Sequence, residues 1–265
     1  MGLSSNILWH QTKKENLIQI LKEKSFRFSY SLEYIESTQY KLKCAIPMLS
    51  LCDIPLADIS DYLEKYDGYS IGFTREWGIK HKISPVIYCE QTSDILIDIN
   101  NLAVSNNSEV YKYLWKLLSH IKNHEGILPK RGYTKYRFYN ERETRITPSF
   151  EELKQNNISP ILYEDEYENY KLHNNDSSLL PKTLYVPFEF NDIRYIITKN
   201  EEDIQDFRKI IGNKKNLHYF TIQQVKKDII GIDHNERFEL DNKVDIEKLG
   251  KTYIFINKTI GNKNI

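Results

Sequence analysis

The stretch Phe138-Tyr139-Asn140-Glu141-Arg142-Glu143-Thr144-Arg145-Ile146 decides how the rest of the chain is read. Taken as a strand, it turns residues i and i+2 to one face, so Glu141 and Glu143 look the same way, flanked by Arg142 and Arg145. On an outer face such carboxylates are simply solvated, in an exposed edge strand of alternating charge. On the wall of a cleft they bind and polarise a ligand hydroxyl. The choice depends on the stretch Leu8-Trp9-His10-Gln11-Thr12 at the other end of the chain.

The chain has 265 residues, 40% hydrophobic and 28% charged, which suits a folded protein with a substantial core and excludes global disorder. Lys plus Arg and Asp plus Glu both number 37, so no bulk field recruits nucleic acid or an anionic membrane. Nucleic-acid binding would rest on one local patch: Arg131, Lys135, Arg137, Arg142 and Arg145, interleaved with Tyr133, Tyr136 and Tyr139. The same residues in a solvated hairpin need no ligand. Cys44, Cys52 and Cys89 lack metal-type spacing and are odd in number, as expected of reduced core thiols. With no secretory leader pattern and no window of about 18 apolar residues, the expectation is a cytoplasmic protein with no membrane contact. His120 and His124 are four apart but have no third ligand nearby, so they read as surface histidines and no metal is expected.

Along the chain, strands are expected at 7–10, 26–31, 46–54, 69–73 and 84–90. Thr12 with Glu15 forms a capping box for a helix to about Lys24. Asp53 caps a helix bearing Leu56, Ile59, Tyr62, Leu63 and Tyr66, and Val110, Leu114, Leu117, Leu118 and Ile121 mark a helix over 109–123. Residues 163–182 are polar and turn-rich and read as a surface excursion. Strands at 184–188 and 193–198, a helix capped by Asn200 and a short helix from Thr221 to Ile229 follow. Strands and helices intermix without strict alternation, which gives an α+β class with a mixed or antiparallel sheet core and flanking helices. One domain is expected over 1–265, with its core at about 5–150 and a strand-helix unit at about 184–260 packed on it. The absence of GxGxxG, Walker A, HExxH and GxSxG excludes the easily read enzyme classes, though not enzymes as such.

Several stretches in order resemble the AbiGi family of abortive phage resistance proteins. They are Leu8–Thr12, Pro47–Leu56, Tyr69–Ile79, Ser84–Tyr88 and Glu141–Arg145, with the units 184–198 and 204–211 downstream. Thr144 departs from the pattern, which has Trp there. The resemblance implies bacterial antiphage defence, with a cognate toxin or antitoxin, or a phage component, as partner.

A second, looser resemblance is to ADP-ribosyltransferases, through the order His10 and Thr12, then Tyr30 and Ser31, then a late Glu. It implies an ADP-ribosyltransferase-like fold that clamps NAD as substrate. His10, Thr12 and Tyr30 would hold the ribose and nicotinamide, Arg137 and Arg145 the pyrophosphate, and Glu143 or Glu141 the positive charge that develops as the C–N bond breaks. The rival expectation is a non-catalytic antitoxin or phage sensor. The two differ spatially: in the enzyme, His10, Tyr30 and the Glu141/Glu143 pair lie on one side of one sheet and open on one cleft beside the 131–137 run.

Overall fold

The computed structural model describes residues 6–59, 63, 68–104, 108–128 and 133–226. In chain order the elements are β1 (Ile7–Thr12), α1 (Lys14–Glu23), β2 (Ser25–Arg27), β3 (Ser29–Glu36), β4 (Lys41–Cys52), β5 (Tyr69–Thr74) and α2 (Arg75–Lys80). Next come β6 (Ser84–Pro85), β7 (Ile87–Cys89), α3 (Asp94–Val104), α4 (Ser108–Leu118), β8 (Ile121–Asn123), β9 (Glu125–Leu128), β10 (Tyr133–Arg137) and β11 (Glu143–Ile146). The remainder is α5 (Phe150–Gln155), β12 (Leu162–Tyr163), α6 (Glu164–His173), β13 (Tyr185–Pro187), β14 (Ile193–Thr198), α7 (Glu201–Ile211), β15 (His218–Thr221) and α8 (Ile222–Gln224).

A mixed sheet in the order β15-β14-β5-β1-β4-β11-β6, with β3 and β12 also on β4, forms the core of an α+β fold. Its pairs are antiparallel except β14 with β15. The two apolar faces follow from strand alternation. Leu8, Ile71, Phe73 and Ile196 share one face, covered by Leu17 and Leu21 of α1 and by Phe207 and Ile211 of α7. Phe26, Trp77 and Phe188 complete this layer around Phe73. Trp9, Tyr195 and Ile197 turn to the other face, under Ile59, Leu63 and Val225. Each fully buried large side chain contributes about 1.5–3 kcal/mol. Gly72 is required by this second layer, because a Cβ there would stand 2.8 Å from the Trp9 ring.

β4, 12 residues long, is the strand on which the site is built. On one edge it meets β11 from Cys52 to Leu49 and β12 at Ala45 and Cys44. Backbone phase places its other partners. Asp53 N–H donates to the Arg142 carbonyl, so residues 51 and 49 turn toward β11, while 52, 50 and 48 turn to the opposite edge. There β1 touches β4 only at Trp9↔Cys52, and β3 takes over from Met48 to Lys41. Among the described residues, 49–51 have no strand partner on that edge, so β1 and β3 leave a gap between them.

Several local expectations are corrected. The first helix starts at Lys14 with no side-chain cap, and Thr12 Oγ1 instead accepts from Asn16 Nδ2 at 3.2 Å. Asp53 pairs with Arg75 at 3.1 Å, and the turn that follows it is a 3-10 turn over Leu56–Asp58 with Pro55 as its N-cap. Residues 26–31 divide into β2 and β3, and 84–90 into β6 and β7. Trp77 and Gly78, between the strands expected at 69–73 and 84–90, lie in α2, whose N-cap is Thr74. The helix expected over 109–123 ends at Leu118 and gives way to β8. The 163–182 excursion is exposed for much of its length but holds α6, anchored by buried Tyr167. β13, within the strand expected at 184–188, pairs with β2. Asn200 does cap α7, accepting from the Asp203 N–H at 3.1 Å. Tyr62, Tyr66, Arg131 and the expected end of the last helix at Ile229 lie outside the described residues.

Candidate functional site

FYNERETRI is not one strand. Phe138–Glu141 forms a 3-10 turn, Arg142 adopts φ 43 in the left-handed region, and β11 begins at Glu143. The two carboxylates still meet, but on Lys122 of β8 rather than on a cleft wall. Lys122 Nζ donates to Glu143 Oε2 at 2.7 Å and to Glu141 Oε2 at 3.3 Å. Arg145, fully buried, donates from Nε to Glu143 Oε1 at 2.7 Å and from Nη2 to Glu143 Oε2 at 3.0 Å. The same guanidinium reaches Glu33 Oε1 at 2.8 Å and the Ser119 carbonyl at 2.8 Å. Tyr136 Oη donates to Glu141 Oε1 at 3.0 Å. Glu33, Glu141 and Glu143 thus share two cations inside the protein.

The electrostatics follow from burial set against pairing. Burial pushes the Glu143 carboxyl up, but the charges and hydrogen bonds of Arg145 and Lys122 outweigh it and hold it well below the usual range. Glu33 goes the other way. Burial raises its pKa, and the Arg145 and Lys122 charges only partly offset this. Lys122 is pulled down by burial and raised overall by Glu143, Glu33 and Glu141. With both Glu143 oxygens held by cations, using that carboxylate on a ligand means first breaking buried ion pairs.

A separate cleft of about 740 Å³ opens at the gap between β1 and β3. His10, Gln11 and Thr12 from the end of β1, Asn16 from α1, and Ser29 and Ser31 from β3 line it. Ser50 lies at its back, with Phe26, Met48 and Leu49. His10 Nδ1 donates to the Ser50 carbonyl at 3.1 Å, and its ring edge meets Phe26.

His10, Tyr30 and the carboxylates do not converge. Register puts Trp9, Cys52 and Glu143 on one face of the sheet, so His10 points to the opposite face from Glu143 and Arg145. Tyr30 alternates away from the cleft-lining Ser29 and Ser31, donating to the Ser159 carbonyl at 2.7 Å and meeting Tyr170 edge-on. Of the expected set, His10 and Thr12 line the cleft, whereas Glu141, Glu143 and Arg145 belong to the buried cluster and Arg137 is exposed on β10. The basic and aromatic patch is dispersed in the same way: Arg145 and Tyr136 are buried, while Tyr139 is exposed and packs on Tyr88 and His124. The side chains of Tyr133 and Lys135 lie outside the described set. His120 and His124 do not share a helix face, and no cluster of three metal-ligating side chains occurs among the described residues.

Sequence reading missed Lys122 and Glu33, the residues that complete the cluster. A signal existed for Glu33, which continues the alternation Ser29, Ser31, Glu33 along one face of β3. None existed for Lys122, because nothing local to Ile121-Lys122-Asn123 shows two carboxylates arriving from 141 and 143.

Fold and site define an α+β protein whose charged residues lock its interior and whose open cleft carries hydroxyl and amide groups together with Glu23, Arg27, Asp176 and Lys182. The chain belongs to the AbiGi family: the family model described as "Putative abortive phage resistance protein AbiGi, antitoxin" matches residues 15–199. The Leu8–Thr12 stretch and the unit at 204–211 fall outside that match. No curated protein and no solved structure matches the chain, and the ADP-ribosyltransferase likeness gains no support. No described helix is long and apolar enough to cross a membrane.

Proposed function

We propose that this chain is the antitoxin of an abortive-infection system, acting by binding a cognate toxin protein rather than by catalysis. The observation that carries the reading is the match to the antitoxin family over residues 15–199. The geometry supports it, since the carboxylates that an NAD-consuming mechanism would need are engaged by Arg145 and Lys122, away from His10 and Tyr30. The test is co-expression with each protein encoded beside its gene. Growth arrest caused by one neighbour and relieved by this chain, with co-purification of the two, is the expected result. Growth arrest caused by this chain alone, accompanied by loss of cellular NAD, would overturn it.

A further inference from the structure

The cleft between β1 and β3 has a lining chemistry that neither the ion-pair cluster nor the family assignment explains. We propose that it binds an uncharged small molecule of about nucleoside size, one that presents several hydroxyl or amide groups around an apolar face. Its volume, about 740 Å³, falls within the range of small-molecule sites, roughly 300–1,000 Å³. The hydrogen-bonding groups on its walls are hydroxyls and amides: Gln11, Thr12, Asn16, Ser29, Ser31 and Ser50. Phe26, Met48 and Leu49 supply the apolar surface.

The charged side chains at its rim already have partners. Glu23 accepts from Lys182 at 3.3 Å and from Gln19 at 2.6 Å. Arg27 donates from Nε to the Leu180 carbonyl at 3.0 Å, and Asp176 stands 4.0 Å from Lys171. An anionic ligand would meet two cations already engaged, Lys182 by Glu23 and Arg27 by the Leu180 carbonyl, beside the negative charges of Glu23 and Asp176, so it would shed its water for little gain. His10 adds an acceptor rather than a charge. Its Nδ1–H is committed to the Ser50 carbonyl, which leaves Nε2 with a lone pair, and burial lowers its pKa so that the ring stays neutral.

Gln11 supplies the independent sign of an unmet partner. Its Nε2 is shut off from solvent and has no hydrogen-bond partner among the described residues, while Oε1 has only a long 3.9 Å contact from Cys52 Sγ. Rotating the amide by half a turn exchanges the atoms but still leaves one of them without a good partner. A buried amide left this way costs about 1–3 kcal/mol, and turning the Gln11 side chain into the cleft it lines would let a polar ligand remove that cost.

The proposal goes beyond the antitoxin reading and is tested on the purified full chain without toxin or phage, so its failure leaves that reading standing. Calorimetric titration and ligand-observed NMR would use adenosine, uridine and maltose as neutral probes, with adenosine monophosphate, uridine monophosphate and maltose 1-phosphate as charged counterparts. The nucleosides and the disaccharide distinguish the two sources of the same chemistry. At least one neutral probe is expected to bind with Kd below about 1 mM, and its phosphorylated form at least tenfold more weakly. Gln11→Leu, similar in size but without the amide, is expected to weaken that binding at least tenfold while Tm stays level or rises. Should that variant fail to fold, Asn16→Ala on the exposed side of α1 is read instead, with weaker binding at unchanged Tm expected. Three results would overturn the proposal: no binding by any neutral probe, equal or tighter binding by the phosphorylated forms, or wild-type affinity in the variant that is read.

Discussion

Arg145 Nη2 and Glu33 Oε1 are 2.8 Å apart, although their strands join β4 at Ser50 and Cys44, six positions from each other. A straight strand would separate those levels by about 20 Å, more than the two side chains span together. β4 therefore bends, and its concave face holds Glu33, Arg145 and Glu143. The ion pairs close that curve, which makes them structural before they are anything else.

It follows that Glu143→Gln should cost stability. Removing one partner of a buried ion pair strands the others, at about 3–5 kcal/mol. Chemical denaturation followed by circular dichroism should show the midpoint fall with the slope unchanged. A variant within about 0.5 kcal/mol of wild type would mean the cluster is solvated and the carboxylate free.

Glu33→Gln should be far milder, although Glu33 pairs with the same arginine. Burial already favours its protonated form, and the amide imitates that form while keeping an oxygen for Arg145. The same denaturation experiment decides it, and equal losses for the two variants would refute the opposed pKa shifts.

The pH dependence carries a definite sign. The Glu143 carboxyl is held below its unfolded value of about 4.3, so its contribution is fully present above that pH and is lost as pH falls toward the folded value. The stability gap between wild type and Glu143→Gln should be constant from pH 7 to about pH 5 and narrow below about pH 4.3. A gap that widens on acidification would contradict the assignment.

How much could be read from sequence depended on whether a residue's partners were local. The α7 cap and stripe are set by neighbours three or four residues apart, so of an inner face expected at Ile204, Phe207, Ile210 and Ile211 behind the Asn200 cap, Ile204, Phe207 and Ile211 are buried and Ile210 is half-buried. The α+β class was legible for the same reason, through alternation and turn residues. The site was not legible, because its geometry depends on register between distant strands. Trp9↔Cys52 and Cys52↔Glu143 settle which face His10 takes, and no spacing within β1 or β11 encodes that. Glu141 and Glu143 share a direction as the i, i+2 rule anticipated, but a 3-10 turn and the left-handed Arg142 intervene, so the agreement has another cause.

Gly72→Ala tests the packing of the second apolar layer. The added methyl would meet Ile7 Cγ2 and Trp9 Cζ3 at 2.8 Å each, and Trp9 is held by its Nε1–H bond to the Ile54 carbonyl at 2.9 Å and by stacking on Tyr195. With little room to move, overpacking should cost about 1–3 kcal/mol, read as a lower Tm. Trp9→Phe combined with Gly72→Ala should recover part of the loss, and the absence of any recovery would place the strain elsewhere.

Cysteine reactivity gives the last check, because it reports burial without any assumption about function. Cys44 is buried and its thiol is pushed up to about 12 by burial, with Glu33 adding to the effect. Cys52 and Cys89 are raised as well, chiefly by burial, with Glu141 and Glu143 also acting on Cys52. A free thiol has a pKa of about 8.5, so at pH 8 the thiolate fraction of Cys44 should be lower by about a thousandfold, and the thiolate is the form that reacts. The native chain should therefore resist a disulfide reagent such as DTNB at pH 8 and take up label at its cysteines once unfolded in guanidinium. Glu143→Gln should label faster at Cys52 as the cluster loosens, resolved by peptide mass spectrometry. Prompt labelling of the native wild-type chain at Cys44 would show that β4 is not covered as described.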